Sequence, residues 1–179
     1  MIVLAGASAS GKTEVAKALA SKYGITKTIT TTTRPMRQGE VDGKDYFFVD
    51  EKTFQKMIKD DRFVEYTTYN NYHYGSTKDQ IASNKCIVVD PIGLKAYISL
   101  NDSQIITFFL DCSEAIRCER MKLRGDNPDK IKSRLIHDRE AFKEENIPEV
   151  DHHIDSENNN VMEVAEIIYQ IYQDFLSNK

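Results

Sequence analysis

Ile2-Val3-Leu4-Ala5-Gly6-Ala7-Ser8-Ala9-Ser10-Gly11-Lys12-Thr13 decides how this chain is read: an apolar run, the pattern G-x-x-x-x-G-K-S/T, then residues that continue as a helix. Glycines at both ends let the backbone bend until its N–H groups converge on a polyphosphate. Lys12 then reaches the outer phosphates, Thr13 offers its hydroxyl to Mg²⁺, and the following helix adds the positive end of its dipole. Gly6, Ala7, Ser8, Ala9, Ser10, Gly11, Lys12 and Thr13 are therefore candidates for holding a nucleotide polyphosphate.

Downstream, Val15, Ala16, Leu19 and Ala20 recur at helical spacing, and Gly24 supplies a left-handed stop. Residues 25 to 33 are β-branched and predict one strand that leaves the nucleotide core. Asp50 predicts a helix through Lys59, and a strand follows over 63 to 69. A short buried strand runs from Cys86 to Val89, and Pro91 then starts a helix through Ile98. Another strand covers 104 to 111, helices begin at Ser113 and Pro128, and the second of these carries Ile131, Leu135, Ile136 and Phe142 in register. A last strand spans 150 to 155, and Asn160 caps a final helix with the stripe Val161, Val164, Ile168, Ile171, Tyr172 and Phe175. Strands alternating with helices predict an α/β fold: a P-loop core with a central parallel sheet flanked by helices.

The 179 residues fit one compact domain. Lys and Arg total 24 against 28 Asp and Glu, a net charge of -4, so nothing overall draws the chain to nucleic acid or an anionic membrane. Cys86, Cys112 and Cys118 show no CxxC spacing and imply neither a disulfide framework nor a zinc site. Five apolar residues before Gly6 and no long apolar run predict neither a signal peptide nor a transmembrane helix, hence a cytoplasmic protein.

The segment Thr32-Thr33-Arg34-Pro35-Met36-Arg37-Gln38-Gly39-Glu40-Val41-Asp42-Gly43-Lys44-Asp45-Tyr46-Phe47-Phe48-Val49 reads on its own as a charged surface hairpin. It closely resembles the acceptor-binding signature of the guanylate kinases, T-T-R-x-x-R-x-G-E-x-x-G-x-D-Y-x-F. Two guanidinium groups and a phenol suit a small phosphate monoester. By this resemblance Arg34, Arg37 and Tyr46 hold the acceptor phosphate, Glu40 positions it or the arginines, and Thr30 belongs to the same site. Phe63-Val64-Glu65 resembles the family's F-V/I-E, whose carboxylate accepts from the N1–H and N2 amine of guanine. Tyr72-His73-Tyr74-Gly75-Ser76 resembles Y-Y-G-S/T, which puts Tyr74 on the acceptor phosphate, with Gly75 in the same acceptor site and Ser76 beside the base; His73 reads as packing. Asp90 is implied to approach the guanine and the water shell of the metal.

Arg120, Arg124-Gly125 and Ile131-Lys132-Ser133-Arg134-Leu135 resemble the family's lid, R-x-x-x-R-G followed by I-x-x-R-L. The resemblance implies a core of residues 1–30, 81–115 and 146–179, an inserted mixed β/α region over 31–80 that holds GMP, and a helical lid over 116–145. It implies ATP + GMP ⇌ ADP + GDP, with dGMP as a second acceptor, Mg²⁺ held by Thr13 and, through water, by Asp90, and Lys12, Arg34, Arg120, Arg124 and Arg134 as catalytic cations. A monomer or homodimer is expected. Departures from the pattern are Val88, where the family has an acidic residue, Asp155-Ser156 in place of Asn-Asp, and Pro35 one position early. Two other readings stay open at this point: a binding module that captures a phosphorylated peptide, and a kinase for another nucleotide.

Overall fold

The computed structural model describes residues 1–178. The chain runs β1 (Ile2–Ala5), α1 (Lys12–Tyr23), β2 (Thr26–Lys27), β3 (Thr31–Thr32), β4 (Phe47–Phe48), α2 (Glu51–Lys59), β5 (Phe63–Tyr69), β6 (Tyr72–Thr77), β7 (Lys85–Val88), α3 (Pro91–Ser99), β8 (Ile106–Asp111), α4 (Glu114–Leu123), α5 (Pro128–Ala141), β9 (His152–Asp155) and α6 (Val161–Ser177).

Strand β1 lies at the middle of a five-stranded parallel sheet ordered β2-β7-β1-β8-β9. All four of its residues are fully buried, which matches an unbroken apolar run better than an alternating one. Alternation along the strand still sorts its side chains between two layers. Ile2 and Leu4 pack with Val15 and Leu19 of α1 and Val164 and Ile168 of α6. Val3 and Ala5 face Leu94 and Tyr97 of α3. Helices thus cover both faces, and the loop after β1 emerges at the carboxyl edge of the sheet, where parallel α/β folds hold their ligands.

The stretch 25 to 33 is not one strand. Thr26–Lys27 joins the core sheet beside β7, whereas Thr31–Thr32 joins a second sheet ordered β4-β3-β6-β5. Between them Thr28 N–H still bonds Cys86 O at 2.9 Å, and Thr30 O already accepts from Phe47 N–H at 3.0 Å. β-Branched residues favour an extended backbone but carry no preference for one partner over another, so the segment passes from sheet to sheet.

Helices α4 and α5 pack on each other. The stripe expected on α5 is corrected by the structure. Ile131 is buried and Phe142 packs on Phe109 with ring centroids 6.0 Å apart, but Ile136 is 51% exposed and the fourth inward position is Asp138, 4% exposed. Among the described residues no helix is long and apolar enough to cross a membrane.

Candidate active site

The loop from Gly6 to Thr13 joins β1 to α1. At Gly6, φ is +144°, and a Cβ would lie 2.8 Å from the Leu110 carbonyl oxygen; only glycine lets the loop start this close to β8. Lys12 folds back over the loop, its amine donating to Gly6 O at 2.5 Å and Ala7 O at 2.8 Å. Burial pushes its pKa down to about 8, opposed by the Asp138 carboxylate and reinforced by Arg117. Ala9 to Thr13 line a cavity of about 420 Å³, which Arg120 and Arg124 also line.

Gly6, Ala7 and Ser8 do not line that cavity. Ser8 has its N–H and hydroxyl bonded to Asp138 at 2.9 and 3.0 Å. Asp138 in turn accepts from Arg117 at 2.6 Å. Neither residue stood out in the sequence. The available signal was a charged residue, Asp138, seven positions after Ile131 on the buried stripe of an amphipathic helix.

The three arginines expected on the lid are placed differently. Arg120 reaches the loop, donating to Ala9 O at 3.4 Å and Ser156 O at 2.6 Å. Arg124 and Arg134 share the Asp126 carboxylate in the turn between α4 and α5. Arg124 lines the cavity and Arg134 does not, although Asp126 holds both guanidinium groups at that turn. Ser156, one of the departures, is buried and ties its N–H and hydroxyl to Asp111 O at 2.9 and 2.8 Å.

A second cavity, about 220 Å³, is lined by Thr30, Glu65, Ser76, Val88 and Asp90 among others. Ser76 Oγ donates to Glu65 Oε1 at 2.6 Å. Burial raises the Glu65 pKa, the Ser76 bond opposes this, and nearby Asp90 adds to it. A β-bulge between Phe63 and Glu65 opposes two steps on β5 to one on β6, and Glu65 ends up opposite Ser76 rather than in step with Phe63. Gly75 serves a packing role in this arrangement, since a Cβ there would lie 2.7 Å from the Phe63 ring and 3.1 Å from Glu65 O. Asp90 spends Oδ1 on capping α3 through Gly93 N–H at 2.8 Å. It lines the second cavity while Thr13 lines the first, so the two expected metal ligands share no cavity. Among the described residues no group of three or more His, Cys, Asp or Glu side chains is placed to hold a metal.

Beside this cavity's sheet, Arg34 is buried and bonds Glu40 in a fork, Nη2 at 2.7 Å and Nη1 at 3.1 Å. Its guanidinium lies 5.3 Å from the Tyr46 ring centre, and Tyr46 meets Tyr74 edge-on at 6.1 Å. Glu40 is held below the usual carboxylate range by Arg34 and by the Arg37 N–H, which it accepts at 2.7 Å; the Arg37 residue itself is exposed. His73 stacks on Phe54 with ring centres 5.2 Å apart, a packing role.

Two cavities therefore sit at the strand ends, one rimmed by a glycine-bounded loop with a half-buried lysine, the other holding a serine-paired carboxylate. Residues 1–174 match the protein family described as guanylate kinase. The chain is 34% identical over 150 residues to the guanylate kinase of Coxiella burnetii, covering 79% of this chain and 73% of that one. It is 32% identical over 142 residues to that of Thermus thermophilus, covering 75% of this chain and 64% of that one. The crystal structure of guanylate kinase from Anaplasma phagocytophilum matches with a TM-score of 0.61 at 23% identity, over 97% of this chain and 84% of that chain, a likeness that bears on the fold alone. With a family match over nearly its whole length, this chain belongs to the guanylate kinases.

Proposed function

We propose that the chain transfers the γ-phosphoryl group of ATP to GMP, and to dGMP, giving ADP and the nucleoside diphosphate. The observation that carries this reading is the pairing of the two cavities: a loop rimmed by Lys12, Thr13, Arg120 and Arg124, and a half-buried Glu65 braced by Ser76. In this reading ATP phosphates lie along the loop residues Ala9 to Thr13, and Lys12 leaves the Gly6 and Ala7 carbonyls for the phosphoryl oxygens. Glu65 and Ser76 read the guanine edge. Arg34, Arg37, Tyr46 and Tyr74 take the acceptor phosphate, and Glu40 holds Arg34 in position.

The attacking phosphate oxygen is already ionised at neutral pH, so the mechanism demands positioning and charge neutralisation rather than a general base. Residues 116–145 act as the lid, 31–80 as the acceptor region and the rest as the core. Closure excludes water as a competing acceptor, and Arg134 joins the phosphates only once Asp126 releases it. An oxygen-only donor set of the Thr13 hydroxyl and, through water, Asp90 suits Mg²⁺, which keeps several waters and takes most other ligands from phosphate. When bound, the ion neutralises charge on the donor phosphates.

The test is ADP release in a coupled assay with ATP and Mg²⁺, offering GMP, dGMP, AMP, CMP and UMP in turn. Strong preference for the guanine nucleotides is expected, and equal use of AMP would overturn the acceptor assignment. A pH profile adds an independent check. An ordinary lysine stays charged to about pH 10.4, whereas burial brings the Lys12 pKa to about 8. The free enzyme therefore loses its loop cation as pH rises through 8. We expect kcat/KM for ATP to fall above about pH 8, while kcat holds to higher pH because bound phosphate restores the charged form.

A further inference from the structure

Asp138 and Arg117 come from α5 and α4, the two helices of the expected lid, and both are buried, at 4% and 6% exposure. Together they occupy every polar group of Ser8. Asp138 Oδ2 accepts from Ser8 N–H at 2.9 Å, and Oδ1 from its hydroxyl at 3.0 Å. Arg117 Nη1 donates to Ser8 O at 3.2 Å and to Asp138 Oδ2 at 2.6 Å, while its Nε donates to Cys112 O at 3.3 Å. The next residue, Ala9, has φ of +61°, a left-handed conformation that a non-glycine residue holds only when its surroundings enforce it. Arg120 takes Ala9 O on the other side.

A buried ion pair is weak evidence for stability, since desolvation offsets much of its attraction and a well-packed apolar pair often replaces it at no loss. This pair has a second job in its geometry. We infer that Arg117 and Asp138 are positioning residues for the phosphate loop: through Ser8 they hold Ala9 in its strained conformation and so keep Ala9 to Thr13 along the cavity wall. The clamp links the docking of α4 and α5 to the shape of the ATP subsite, and in that respect the inference rests on the nucleotide reading proposed above.

Asp138→Ala alone would strand a buried guanidinium and risks unfolding the helical pair. The test is therefore the double variant Arg117→Leu/Asp138→Ala, with thermal melting to confirm that it folds. Two readouts follow: ATP KM against GMP KM, and amide hydrogen exchange over residues 7 to 11 without nucleotide. The double variant should raise ATP KM roughly five- to thirtyfold, with GMP KM within about twofold, and should speed exchange in the loop. Adding Ala9→Gly, which removes the strain that the clamp offsets, should bring ATP KM back to within about threefold of the parent. An unchanged ATP KM overturns the inference, and so does a raised one that Ala9→Gly fails to rescue, since the loss would then be general damage to the helical pair. Unchanged exchange in the loop overturns the clamp whatever the kinetics. If the unmodified chain binds no ATP, it is the nucleotide reading that falls, and faster exchange in the double variant still reports the clamp on the loop.

Discussion

Lys12→Ala is expected to lower kcat at least about a thousandfold, roughly 4 kcal/mol of barrier, with little change in melting temperature. The amine is the cation nearest the loop backbone, bonded to Gly6 O and Ala7 O, and it is buried enough for its pKa to fall to about 8. A charge held in so desolvated a place is costly to the fold, so its removal relieves burial while taking away the group that meets the transferring phosphoryl. Single-turnover kinetics with saturating ATP and GMP, alongside thermal melting, make the measurement. A rate within about tenfold of the parent would remove Lys12 from the mechanism. A large drop in melting temperature would show instead that the amine serves mainly to brace the loop.

Glu65→Ala is expected to lower kcat/KM for GMP by about a hundredfold or more while leaving ATP KM within about twofold. A site built to hydrogen-bond a polar edge rejects a partner that it cannot pair, and guanine would lose the acceptor for both N1–H and the N2 amine. Glu65→Gln offers one acceptor and one donor, so it should recover only part of the loss and weaken discrimination against AMP. Burial already raises the Glu65 pKa, and the ionised side chain is held at some cost to folding. Its removal should therefore not destabilise the chain appreciably, and a kinetic loss is a loss of recognition. Equal loss for ATP would mean that the two cavities are assigned the wrong way round.

Most of what the sequence displays concerns runs of adjacent residues. The apolar run of β1, the glycines and lysine of the loop, the caps at Asp50 and Asn160 and the helix-starting Pro91 are each written within a few positions. They depend on φ restriction, N–H capping and periodicity, which act locally. The observed helices α2, α3 and α6 begin where those caps and Pro91 place them. The motif at 32 to 49 is similarly contiguous, and Arg34, Glu40 and Tyr46 are in contact because a short loop joins them.

Other features need partners far along the chain. The residues 25 to 33 are equally extended whichever sheet they join, and only β7 and β6, some fifty residues on, divide them. Glu65 lies opposite Ser76 because of a bulge that no residue type at 63 to 65 demands. Asp138 is a charged position on an apolar helix stripe, and only the docking of α5 brings its carboxylate to Ser8, 130 positions away. Local sequence thus determined the loop, the helices and the chemistry available to them, because propensity and capping are settled between near neighbours. Tertiary structure alone decided which carboxylate faces which cavity and how the loop is held, because burial and ion pairing depend on where the chain returns to meet itself.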